Sequence, residues 1–299
     1  MLLVTVLCLW LTWQVIIARH QEAAVSVLGK YGGSVYYDFH DPPRRAQPAP
    51  WRAWLARWVG DGYVYRVVGV GLSGPSIDDP ALATLAPHLA RLRHLRWLDV
   101  DDVPITNSGY APLGQLKQVE KLLIRTQGFR RPPVQLTDDG LAFLGEMENL
   151  RSLCINDALI TGVGLTCLTS LRHLKSLDVR STNFDDNGLS CIASLSGLTT
   201  LHVWQTRVTD VGMQFVGKLH HLEELYFMDC PLTDEGIARL RDLKELRLLD
   251  LTRSRISDNS IEVLLRLRKL GELRLYGTSV TDEGVAKLKV LPHLQIIAR

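Results

Sequence analysis

Apolar and polar positions change period along this chain in a fixed cycle, clearest between Leu198 and Leu291. Each copy opens with an alternating Leu-x-Leu, as a strand with one buried face does. It then spaces its apolar residues three and four apart, as a helix does. Leu198, Leu201 and Val203 begin the first copy, and Thr206, Val208, Thr209, Asp210 and Gly212 follow. The offsets return at Leu222, Leu225 and Phe227, at Leu246, Leu249 and Leu251, and at Leu270, Leu273 and Leu275, one copy every 24 residues. Leu201 and Val203 are expected to point inward from a strand, and Met213, Val216 and Leu219 inward from a helix. Thr209 or Asp210 is placed to cap that helix.

One copy alone buries too few side chains to offset the entropy of ordering its backbone. Stacking, which buries the faces between copies and pairs their strands, is what makes such a unit fold. The spacing L-x-x-L-x-L-x-x-T-x-V-T-D-x-G is the signature of a leucine-rich repeat. The expected fold is α/β: a curved solenoid with a parallel sheet on its concave side, helices on its convex side and a hydrophobic helix at the N-terminus. Weaker copies begin at Val67, Leu95, Val119, Leu150 and Leu174, so residues 67–299 form one repeat domain of nine turns and a fragment. The longest interruption, Gln127 to Gln135, carries Phe129, Arg130 and Arg131 and is expected to overhang one rim.

Upstream the pattern differs. Met1 to Ala18 contains no charge and a single amide, Gln14. As a helix it would reach ~27 Å, near the thickness of a hydrocarbon layer. Residues 1–18 are therefore expected to be a single-pass transmembrane anchor, with a cleaved signal peptide as the rival reading and a buried core helix as the third. Neither a basic leader nor a prompt small-x-small site supports the rival. Arg19 and Lys30 lean toward a cytoplasmic repeat domain. Residues 19–66 read as a juxtamembrane helix, a short strand at Ser34 to Phe39, a proline-rich linker and an N-terminal cap. In the cap, Trp51, Trp54, Leu55 and Trp58 share one helical face, suited to cover the first repeat or to lie in a membrane interface.

Composition narrows the function. With 46% hydrophobic and 22% charged residues the chain is globular, and a net charge of +2 makes no electrostatic case for nucleic acid. Five cysteines, an odd number without small-domain spacing, are expected to be free thiols, with Cys230 a small buried group bonded to backbone. Gly69, Gly71 and Gly74 form a G-x-G-x-x-G, but no helix opens there to receive a pyrophosphate. No P-loop, H-E-x-x-H, C-x-x-C or G-x-S-x-G occurs. His94, His173, His221 and His293 each precede a repeat's first leucine, which makes them turn residues. No cofactor, metal or catalytic residues are expected.

Period two also names the residues facing outward from the strands. One column runs Asp99, Leu123, Cys154, Asp178, His202, Tyr226, Asp250 and Arg274, and its neighbour runs Asp101, Arg125, Asn156, Arg180, Trp204, Met228, Thr252 and Tyr276. Cys154, Asp178 and His202 suggest a catalytic triad. However, Cys154 and His202 lie two strands apart, ~9.6 Å at the backbone, too far for the thiol to meet the imidazole. Asp178 and His202, on adjacent strands, are placed to pair. Asp178, Arg180, His202, Trp204, Tyr226, Met228, Asp250, Arg274 and Tyr276 instead make an expected surface for a protein partner, rich in aromatic and arginine anchors. A scaffold for glycan or surface polymer is the alternative.

Thr233-Asp234-Glu235-Gly236 and Thr281-Asp282-Glu283-Gly284, within the repeat, resemble the ribonuclease-inhibitor-like class of leucine-rich repeats. The chain is also similar to bacterial leucine-rich-repeat proteins with an N-terminal hydrophobic anchor, a likeness that extends to Gly32 to Asp38. The resemblance implies a non-catalytic interaction scaffold.

Overall fold

The structure, a computed structural model, describes residues 2–38, 49–126 and 136–298. Phe129, Arg130 and Arg131 lie outside the described residues. Eleven strands form one open sheet in sequence order. They are β1 (Ser34–Tyr37), β2 (Val67–Ser73), β3 (Trp97–Asp101), β4 (Lys121–Arg125), β5 (Ser152–Asn156) and β6 (Ser176–Asp178), then β7 (Thr200–His202), β8 (Glu224–Tyr226), β9 (Leu248–Asp250), β10 (Glu272–Arg274) and β11 (Gln295–Ile297). Among the described residues only β1 runs against its neighbour; from β2 onward every pair is parallel. Leu98, Leu122, Leu153, Leu177, Leu201, Leu225, Leu249 and Leu273 stand in register and are all fully buried. Behind them, short helical segments close each repeat, some α-helical (Asp186–Ile192, Asp282–Leu288) and some 3-10 (Ser108–Gln115, Val163–Ser170). Met213, Val216 and Leu219 point into the core from this layer, as their spacing predicts.

The polar half of the repeat has an equally regular use. Thr233 Oγ accepts from the Glu235 N–H within its own repeat. Asp210, one repeat earlier, accepts from both the N–H (2.8 Å) and the hydroxyl (2.6 Å) of Thr233. Threonine is thus the cap and aspartate the brace to the next repeat. The brace recurs from Asp138 to Thr161, from Asp186 to Thr209, from Asp234 to Ser257 and from Asp258 to Thr281. It is interrupted at Gly162, which stands in the aspartate slot, and there Asp185 caps its own helix instead. The glycine of D-x-G follows from the same contact. A Cβ on Gly236 would fall 2.3 Å from Asp210 Oδ1, and one on Gly284 2.2 Å from Asp258 Oδ1.

A second register of turns leaves the strands. Asp102, Asp157, Ser181, Gln205, Asp229, Arg253 and Gly277 all hold positive φ, four residues beyond the aligned leucine of their strand. This turn recurs because each strand must hand its chain to the opposite layer at the same point.

The N-terminus corrects one expectation. Among the described residues, no helix is long and apolar enough to cross a membrane, so the single-pass anchor at residues 1–18 is not supported. The hydrophobic run is the first half of a longer helix, α1 (Leu2–Lys30), whose second half sits on the solenoid. Ala18, Ala24 and Leu28 are buried there. Gln21, also buried, donates to the Tyr65 carbonyl (2.7 Å) and accepts from the Val67 N–H (3.0 Å), so its polar groups are satisfied. Helix α2 (Pro50–Val59) does not cover the first repeat, since Trp51, Trp54 and Trp58 are 65, 62 and 75% exposed. The cover is β1 with the second half of α1. Gly69 and Gly71 of β2 make room for its two neighbours: Cβ atoms there would run into the Trp97 ring of β3 and Ser34 Oγ of β1. Their G-x-G is a packing motif.

Candidate partner-binding surface on the open face of the sheet

The face of the sheet turned away from the helices carries the predicted columns in the predicted order, with Cys154, Asp178, His202, Tyr226, Asp250 and Arg274 side by side on consecutive strands. Its charges pair among themselves. Asp178 is buried and accepts from Arg180 Nη2 (2.7 Å) and the Arg180 N–H (3.3 Å). Asn156, with its amide turned to suit its neighbours, donates to Asp178 Oδ1 (3.1 Å) and accepts from Arg180 Nε (3.1 Å). Three strands on, Arg274 bridges the buried Asp250 (3.2 Å) and Glu272 (2.7 Å). Each guanidinium is held in one orientation by planar, charge-assisted bonds.

The aromatic rings stack on these anchors. Arg180 lies over the Trp204 ring at 5.1 Å. His202 and Tyr226 stack face to face, 4.0 Å between centroids and 10° between planes, and Arg274 lies 5.9 Å from the Tyr226 ring. The expected pairing of His202 with Asp178 is replaced by this stack, because Arg180 already occupies the carboxylate. Burial lowers the His202 pKa, against the pull of Asp178, and favours the neutral ring. Burial also raises the Tyr226 hydroxyl, with Glu224 adding to it, to about 12. Beside these rings a donor is left over. The indole N–H of Trp204 is shielded from solvent and meets no acceptor among the described residues.

The triad does not assemble. Cys154 Sγ lies 3.7 Å from Asp178 Oδ2, and burial followed by that carboxylate pushes its thiol up to about 12, opposite to what a nucleophile needs. Cys230 is buried with its sulfur 3.1 Å from the Val203 carbonyl, the small backbone-bonded role expected of it. All five cysteines are free. Among the described residues, no three His, Cys, Asp or Glu side chains are placed to hold a metal ion.

A third charge cluster on this face, built from residues of the same outward columns, was left out of the expected partner surface. Arg125 reaches Asp99 (2.6 Å) and Asp101 (3.4 Å), yet Asp99 Oδ1, Asp101 Oδ1 and Arg125 Nε are buried without a well-aligned hydrogen bond. The signal was available, since all three occupy the same two columns.

Residues 136–298, more than half of the 299-residue chain, match the family described as leucine-rich repeat region. The chain is a leucine-rich repeat protein. Among solved structures, this leucine-rich repeat protein is similar to an internalin (inlF) from Listeria monocytogenes, with 19% identity, a TM-score of 0.55, and coverage of 73% of this chain and 70% of that one. It is also similar to internalin C2 from the same organism, with 18% identity, a TM-score of 0.46, and coverage of 75% and 84%. At 19% identity the likeness to inlF is one of fold. No curated protein matches the chain in sequence.

Proposed function

We propose that this leucine-rich repeat protein is a non-catalytic scaffold that binds a protein partner through the open, concave face of its sheet. The observation that carries the reading is the patch around Trp204, whose partly exposed ring lies under an arginine held in place by Asp178, two residues along the chain from the His202 of the His202–Tyr226 stack. Tryptophan, tyrosine and arginine are also the side chains that dominate binding energy at protein interfaces. Because Arg180 and Arg274 are already oriented, little side-chain entropy remains to be lost on binding. Met228 and Tyr276 extend the patch, and Tyr276 is 51% exposed. The α-helical segments that Thr233 and Thr281 cap at the Thr-Asp-Glu-Gly motifs support placing the repeats in the ribonuclease-inhibitor-like class.

The test is proximity labelling in the native cell with the full chain as bait, compared with Trp204→Ala combined with Tyr226→Ala. The double variant is expected to lose a discrete set of labelled proteins while its circular dichroism spectrum is unchanged. Identical labelling by both baits would move the binding site off this face.

A further inference from the structure

Net charge conceals a segregation that the parallel sheet creates. Because β2 to β11 all point the same way, every turn from a helical segment into a strand lies on one rim, and every turn out of a strand on the other. The nine helix-to-strand turns between residues 91 and 294 contain fifteen Lys and Arg against five Asp and Glu, although the whole chain carries only +2. The acids gather on the opposite rim, where the aspartate brace uses them. Cations near helix C-termini complement the helix dipole. That does not account for Arg266, Arg268 and Lys269, which follow a helix of only four residues, Ile261–Leu264. Arg239, Lys244, Arg266, Arg268 and Lys289 are exposed and have no described carboxylate within ion-pair distance.

Beside this ridge lies a cleft of about 440 Å³ between two repeats, lined by Gln214, Lys218, Arg239 and Arg241 with Glu235 and Asp242. None of the nine turns contains Trp, Tyr or Phe. Stacking of nucleic acid bases or of neutral sugars therefore has no platform here, and recognition rests on charge and hydrogen bonds. We propose that the C-terminal part of this rim binds a linear acidic polysaccharide, its carboxylate or sulfate groups spaced along the cationic ridge and one sugar seated in the cleft. The surface is separate from the Trp204 patch, and the two can be occupied independently.

The test uses the purified full chain and calorimetric titration with polygalacturonate, heparin, uncharged dextran and duplex DNA at ~50 and ~200 mM salt. Polygalacturonate and heparin are expected to bind, dextran not to bind, and affinity to fall at least ~10-fold between the two salt concentrations. Lys244→Ser with Arg266→Ser and Arg268→Ser should weaken polygalacturonate binding about tenfold by removing three charge contacts, whereas Trp204→Ala should leave it unchanged. If the triple variant misfolds, Arg239→Gln with Lys289→Gln is expected to weaken binding in the same direction. The proposal is overturned by absence of polyanion binding at the lower salt, by equal affinity in the folded charge variants, or by duplex DNA binding at least as tightly as polygalacturonate.

Discussion

The D-x-G motif can be tested at single residues, because one repeat breaks it. Ser260 stands where Gly212, Gly236 and Gly284 stand in the neighbouring repeats, and its hydroxyl donates to Asp234, the acid that would otherwise exclude a side chain. Gly236→Ala puts a methyl group against Asp210 with no hydroxyl to make amends, and Asp210 is already held by Thr233. A loss of about 1–3 kcal/mol is expected from such overpacking, whereas Ser260→Gly should cost less because it restores the common geometry. Denaturant unfolding of the two variants checks this, and equal stability would refute the steric account. The motif was plain in the sequence, but its reason was not. Asp210 and Thr233 are 23 residues apart, a separation that means nothing until the repeats are stacked. The outward columns were legible for the same reason that strands alternate. What each member would hold was legible only in part: Asp178 had two suitors, Arg180 and His202, and only geometry decides between them.

At the scale of the element, the brace makes stability depend on acid. Burial by itself raises the pKa of Asp234, but hydrogen bonds from Ser257 and Ser260 outweigh it and hold the carboxyl below its ordinary value. Asp258 is likewise lowered, chiefly by the hydroxyl of Thr281. A depressed folded-state pKa means stability that is present above the unfolded value, about 3.9 for aspartate, and lost as pH falls through the folded one. Asp234→Asn should therefore be less stable than the native chain at neutral pH by about 1–2 kcal/mol, a figure already reduced for partial exposure. Melting temperatures measured from pH 7 downward should converge as the native carboxylate protonates. A gap that stays constant below pH 3 would show that Asp234 contributes through shape and not through charge. The turn after each strand offers a second reading at this scale. Gly277 occupies the positive-φ position that Arg253 fills one repeat earlier, so Gly277→Ala should cost about 1 kcal/mol in denaturant unfolding; a neutral result would mean the turn carries no strain.

Across the whole molecule, the two ends of the stack are unlike. At the N-terminal end, β2 is covered by the antiparallel β1 and by the half of α1 that buries Ala24 and Leu28. This is why the hydrophobic run resisted a reading by composition: its apolar residues continue smoothly into a helix that is part of the core, and length and hydropathy alone do not mark where packing begins. At the other end of the described residues, β11 pairs with β10 and has no described strand on its far side, Val290 and Ile297 are 79% and 37% exposed, and Leu294 and Ile296 are only partly buried. In a stack whose repeats are supported by their neighbours, a repeat with one neighbour opens at a smaller free-energy cost than one with two. Hydrogen–deuterium exchange should therefore find amides of β10 and β11 exchanging faster than those of β6 to β8, with β2 as protected as the middle. The mutational counterpart is Leu225→Ala, expected to cost about 2–5 kcal/mol in the fully packed centre, against a much smaller loss for Ile296→Ala. Uniform protection from β2 to β11, or equal costs for the two substitutions, would mean that the repeats do not lean on one another in the way their shared braces imply.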